Sequence, residues 1–179
     1  MNERIRVSQN FYLDEFVDPF TYFNESDNGL SKMDPRTFDL AQLLRTKKGS
    51  SISINNWWGM YLKLLAEGKT IKQIIRLIEN SRAVNKWSGY RPPHCRIGAK
   101  ASKHRKGEAI DPKGDQNELF KIVKASIKEF YRFGLRRLEN PKITSGWLHM
   151  DISSSKHKAG FVRVVNLSSH AFDISINEK

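Results

Sequence analysis

Cysteine is almost missing from this chain of 179 residues. Its single copy, Cys95, excludes an internal disulfide and any cysteine-rich zinc site, and reads as a bystander thiol. No apolar run approaches the length of a membrane span, so membrane insertion is not expected. Carboxylates are scarce beside cations: 19 Asp and Glu against 31 Lys and Arg leave a net charge of +12. Such a charge favours polyanions, whether nucleic acid, anionic lipid or the polymers of a bacterial wall. The cations are scattered, as at Lys47, Lys48, Arg105, Lys106, Arg136 and Arg137, which fits a generally basic surface better than a dedicated arm. Repeats, low-complexity tracts and Gly/Ser linkers are also lacking, so a single domain over residues 1–179 is expected. The opening "MNERIRVSQNFYLDEF" is charged and lacks the apolar segment of a secretory signal. The expectation is synthesis in the cytoplasm, with another route to any site of action outside it.

What is present suffices for a core: 39% of residues are hydrophobic and ten are phenylalanine. "VSQNFYLDEF" reads as a short helix with Tyr12, Leu13 and Phe16 on one face. "DPRTFDLAQLLRTKKG" is a stronger one: Asp34 caps it, Pro35 suits its first turn, Phe38, Leu40, Leu43 and Leu44 give an apolar stripe, and Gly49 ends it. "SSISINNWW" alternates like a strand, and "TIKQIIRLIENSRAVNKW" has helical periodicity behind Thr70. The Pro- and Gly-containing "SGYRPPHCRIGAKASKH" reads as a loop. "NELFKIVKASIKEFYRFG" is an amphipathic helix, and "LRRLE", "GWLHMDI" and "FVRVVNL" are short strands. This order predicts an α+β fold in which a small, mainly antiparallel sheet is flanked by helices.

A catalytic zinc needs three ligands from His, Asp or Glu and one open position. Of the five histidines, His104 precedes Asp111 by seven residues across Gly107, and "EAID" could aim Asp111 from a strand. His149, between Leu148 and Met150, points away from those apolar neighbours if "GWLHMDI" is extended. The three could converge on one metal. Spacing alone leaves the plainer reading open, since isolated histidines are more often surface or core residues. His157 and His170 read as surface histidines.

"SKHRKGEAID" fits Ser-x-His-x-x-Gly-x-Ala-x-Asp, and "WLHMD" fits Trp-x-His-x-Asp. With "SGYRPP" upstream, these motifs resemble the zinc D-Ala-D-Ala carboxypeptidase and L-alanyl-D-glutamate endopeptidase family, of hedgehog-like fold. "VSQNFYLDEF" and "ISINNWWG" resemble segments of its phage-encoded members. The resemblance implies His104, Asp111 and His149 as ligands of Zn2+, and a sheet that carries the zinc site. It implies Arg91 as a guanidinium that binds a substrate carboxylate or steadies an oxyanion, a task its planar fork suits. Taken alone, Arg91 reads as a turn residue with a solvated charge. Tyr90 and Ser102 are the further substrate contacts expected, Ser102 alternatively ordering its loop.

Members of that family carry a general base shortly before the last histidine, often by three residues. Here that position is Gly146, and Glu139 is the nearest upstream glutamate. A hairpin between "LRRLE" and "GWLHMDI" could set Glu139 beside His149. Asp151 is the fallback base, although supporting an imidazole is its better role. The resemblance thus implies hydrolysis of a stem-peptide or cross-link bond of bacterial peptidoglycan by a monomeric enzyme, virion-borne or released at phage lysis. Two other classes remain open. One is an inactive zinc-binding wall protein, suggested by the displaced glutamate. The other is a nucleic-acid-binding domain, suggested by charge and by Trp57, Trp58, Trp87 and Tyr90; specific nucleic-acid binding is not expected.

Overall fold

Carboxylate and hydroxyl caps start most of the helices. In the computed structural model, which describes residues 3–153, 158–166 and 171–177, Asp18 accepts from the Thr21 amide to open α1 (Pro19–Asn24). Asp34 accepts from Arg36 N to open α2 (Pro35–Lys48), which Gly49 closes. Helix α3 (Trp58–Ala66) follows, and Thr70 with Gln73 makes a reciprocal cap on α4 (Ile71–Asn80). Asp115 accepts from Asn117 N and Glu118 N at the start of α5 (Gln116–Ala125), and α6 (Ile127–Arg132) continues after a break at Ser126. Each cap satisfies amides that the first helical turn leaves unpaired.

The strands are β1 (Ala109–Ile110), β2 (Arg137–Glu139), β3 (Met150–Asp151), β4 (Phe161–Val165) and β5 (Phe172–Ser175), in the sheet order β1-β3-β2-β4-β5. All neighbours are antiparallel except β2 and β4. This is the expected α+β class, a small and mostly antiparallel sheet with helices beside it. Helix α2 packs on α5 and β1 and buries Phe38, Leu40, Ala41 and Leu44.

Four expectations need correction. "VSQNFYLDEF" makes only a 3-10 turn at Leu13–Glu15, since Phe11, Leu13 and Phe16 all bury and leave no helical face. "SSISINNWW" is not a strand. Ile52 and Ile54 do point inward, but the backbone makes one bridge, Ser53 to Lys113, and Asn55 bonds instead to Glu15, Val17 and Ser88 in neighbouring loops. The helix from Thr70 stops at Asn80, where Ser81 leaves helical backbone and Asn56 captures Asn85 through reciprocal bonds. The single amphipathic helix is two, α5 and α6. His157 and His170 lie outside the described residues.

Register decides where the polar residues go. Ala109 opposes Asp151, which opposes Arg137, and Ile110 opposes Met150, which opposes Leu138. Ile110, Met150 and Leu138 have no exposed surface and belong to the core. Fully burying each such side chain contributes roughly 1.5–3 kcal/mol. A slip of one residue would bring an apolar side chain onto the polar face and a polar one into the core, so the apolar face locks the alignment of the other face.

Candidate metal centre

One step beyond that apolar rank, the same register brings Asp111, His149 and Glu139 side by side, with Glu139 N donating to the His149 carbonyl at 3.1 Å. Period-2 alternation puts all three on the face opposite the core. His104 arrives from a 3-10 turn, Lys103–Lys106, that packs against β1. Gly107 closes this turn at φ 65°, and a Cβ there would collide with the Lys32 carbonyl. The Gly107 carbonyl in turn accepts from Asp34 N, so the turn is seated on the start of α2. Gly89 has a similar role, since a Cβ would strike the Phe16 backbone.

His104, Asp111 and His149 are buried, and the donor atoms of the three meet. His104 Nε2 lies 3.2 Å from His149 Nδ1 and 3.2 Å from Asp111 Oδ1, and His149 Nδ1 is 2.8 Å from that same oxygen. The outer partners fix which atoms carry lone pairs. His104 Nδ1 is 2.7 Å from the Gly89 carbonyl, which can only accept, so Nε2 turns its lone pair inward. His149 Nε2 is 3.3 Å from Asp151 Oδ2, which also accepts from Arg137, so its Nδ1 does the same. With His149 neutral, the two inner nitrogens and the Asp111 carboxylate form three acceptors turned to one point, a cluster that needs a cation. It can hold a metal ion.

The charges agree with that reading. Burial opposes ionisation of Asp111, yet His104 and His149 hold its carboxyl far below the ordinary carboxylate range. Burial pulls His104 down. Burial would lower His149 as well, but the Asp111 and Asp151 carboxylates push it up to about 10. A proton between two carboxylates is one way to supply the missing cation. Asp151, with no exposed surface, is held low against its burial by His149 and Arg137.

Arg91 does not stand free. Its Nη2 donates to Asp111 Oδ2 at 2.9 Å and its Nε to the Trp87 carbonyl at 2.6 Å, which aims the carboxylate at the histidines. A cleft of about 470 Å³ opens over the centre, and Arg91, Ser102, Glu139, Arg137 and Trp147 line it with the three donors. Tyr90 is not among them. Its amide donates to the Phe16 carbonyl at 2.7 Å and its ring packs in the core. Trp57 and Trp58 are core residues too, unavailable for stacking on bases. Arg137 and Trp147 escaped the sequence reading, although alternation with Glu139 and His149 places both on the site face.

No protein-family model matches the chain, and no curated protein or solved structure matches it significantly. Among the described residues, no helix is long and apolar enough to cross a membrane.

Proposed function

We propose that this chain is a zinc-dependent peptidase that cuts a stem-peptide or cross-link bond of bacterial peptidoglycan. The observation that carries the reading is the rank of Asp111, His149 and Glu139 at the ends of β1, β3 and β2, met by His104 from the adjoining turn. Two imidazole nitrogens and one carboxylate oxygen suit zinc, and a tetrahedral zinc holds its ligand atoms roughly 3.3 Å apart. The separations here are 3.2, 3.2 and 2.8 Å. The likeness of "SKHRKGEAID", "WLHMD" and "SGYRPP" to the zinc D-Ala-D-Ala carboxypeptidase and L-alanyl-D-glutamate endopeptidase family supports the substrate class. Its phage-type members support a site of action at the wall, reached at lysis or from the virion.

Bound at this centre, zinc would lower the pKa of a water and polarise the scissile carbonyl. Glu139 lines the same cleft, and side chains directly opposite on paired strands have Cβ atoms roughly 4.5–5.5 Å apart. Glu139 takes a proton from the attacking water and delivers it to the amine nitrogen as the C–N bond breaks. Asp151 is poorly suited to that task, since Arg137, His149 and Ser153 N already occupy it; it keeps the His149 ring in one tautomer. Arg91 holds Asp111 in its orientation.

Zinc content and the release of new amino termini from purified peptidoglycan test this together. Wild type should carry about one zinc and cut. Glu139→Gln should keep the zinc and lose roughly 10²- to 10⁴-fold in turnover, the usual worth of a general base. A zinc-loaded protein that releases no amino termini from any of several wall chemotypes overturns the peptidase.

A further inference from the structure

Past the metal centre the cleft continues into a second arm of about 460 Å³, with Arg91, Asp111, Ile97 and Trp147 forming walls of both parts. Most charges along this arm are committed. Arg91 is bound to Asp111 and the Trp87 carbonyl, Lys86 Nζ donates to the Ser81 carbonyl, and Glu79 pairs with His94.

Arg82, at the rim, is exposed to solvent. Lys113 is different. It is half-buried, and its Nζ sits 4.9 Å from the centre of the Trp147 ring. Among the described residues no carboxylate lies within ion-pair distance of it, the pairs of this region being Arg91–Asp111, His149–Asp111 and Arg137–Asp151. Lys113 also has a fixed place in the register. It bridges Trp147, one alternation beyond the pairing of Asp111 with His149, and therefore shares their face. Two residues of strand span roughly 7 Å. The Asp111 carboxylate acts on Lys113 only from beyond ion-pair distance and is shared with Arg91 and the histidines, so the partly desolvated ammonium is under-compensated and a ring face makes up only part of the cost.

We infer that Lys113 is the anion-recognition residue of this cleft. It receives a carboxylate of the peptide substrate, displaced by no more than about two residues from the bond that is cut, since an extended peptide advances roughly 3.3 Å per residue. Trp147 supports the ammonium, and Trp87 contributes a second aromatic wall. Arg91, whose fork is spent on Asp111 and Trp87, is then a positioning residue for a metal ligand. This inference rests on the peptidase reading and adds the substrate feature that the site selects.

The test uses a synthetic stem pentapeptide and versions of it in which one carboxylate at a time is a carboxamide. With wild type, one such amide should lower kcat/KM by at least about tenfold, through KM, as the loss of a charged hydrogen-bond partner does. In Lys113→Met the ratio of acid to amide at that position should fall to about one with zinc content unchanged, and Lys113→Arg should restore it. Equal handling of every amide by wild type overturns the inference, as does a ratio that persists in Lys113→Met. Calorimetric binding of the same peptides to the zinc-loaded protein separates the two claims. Tighter binding of the acid that Lys113→Met abolishes, in a protein that cuts nothing, sinks the peptidase and keeps the anion subsite. Equal binding of acid and amides in a protein that does cut sinks the subsite alone.

Discussion

Among the described residues two clusters bring imidazole and carboxylate donors together, and they differ in how those donors are held. His104, Asp111 and His149 form one; Asp18, Glu79 and His94 form the other, and in both the donor atoms lie within 4.8 Å of one another. In the first, every outer atom is spoken for by a group that leaves the inner one free: the Gly89 carbonyl behind His104, Asp151 behind His149, Arg91 behind Asp111. In the second, the Asp18 carboxylate is already used as a helix cap. Asp18 accepts from Thr21 N and Thr21 Oγ1 as the cap of α1, and His94 Nε2 bonds Glu79 at 3.0 Å. The His94 side chain is also 43% exposed. A metal site is thus made by what orients the ligands, more than by three donors standing close.

The largest effect that could break this contrast is loss of a ligand. His149→Ala should abolish zinc binding, measured as metal content after loading and desalting, with a fall in affinity beyond the roughly 100-fold that losing an outer partner costs. His94→Ala should leave the stoichiometry at about one, and as a surface change it should shift stability by no more than about 0.5 kcal/mol. A wild type that holds two ions, and drops to one in His94→Ala, would erase the distinction.

Asp151→Asn is the next step down. The amide keeps the shape but gives up the carboxylate that accepts from His149 Nε2, so zinc affinity in a chelator competition should fall roughly 10- to 100-fold. An unchanged affinity would mean that the tautomer of His149 is fixed by something other than Asp151.

The three donors of the candidate centre were legible as a set because their motifs are local: a histidine, a turn glycine and an aspartate at short spacing, then a histidine in an alternating segment, which spacing alone leaves open and the likeness of the motifs joins. The strong cap and apolar stripe of α2 were legible for the same reason. Legibility fails where long-range bonding decides. Nothing in "SSISINNWW" announces that Asn55 will bond to Glu15, Val17 and Ser88, yet those bonds displace a sheet ladder. The order β1-β3-β2-β4-β5 is non-consecutive, so the rank of Asp111, His149 and Glu139 emerges only once the strands are paired. Arg91 illustrates the same limit. A guanidinium beside a metal motif suggests a substrate clamp, and only the fold reveals that Asp111 and the Trp87 carbonyl occupy it.

Asp18 offers the most discriminating test. Burial, only partly offset by the Thr21 hydrogen bonds, raises its carboxyl to about 6 from an ordinary 3.8. The folded state therefore binds this proton more tightly than the unfolded state does. The resulting stabilisation is fully present below about pH 3.8 and is lost as pH rises through about 6. Asp111 and Asp151 act in the opposite sense, because their lowered carboxyls withdraw stability as pH falls. Asp18→Asn removes the first contribution while an amide can still cap α1. Its unfolding free energy in urea, taken relative to wild type, should improve between about pH 4 and 7 by on the order of 3 kcal/mol. A flat difference would mean that Asp18 stays ionised when buried, which requires a cation beside it. That cation is either the His94 imidazolium or a metal held with Glu79, and only in the second case is the orientation of ligands by outer partners not what separates the two clusters.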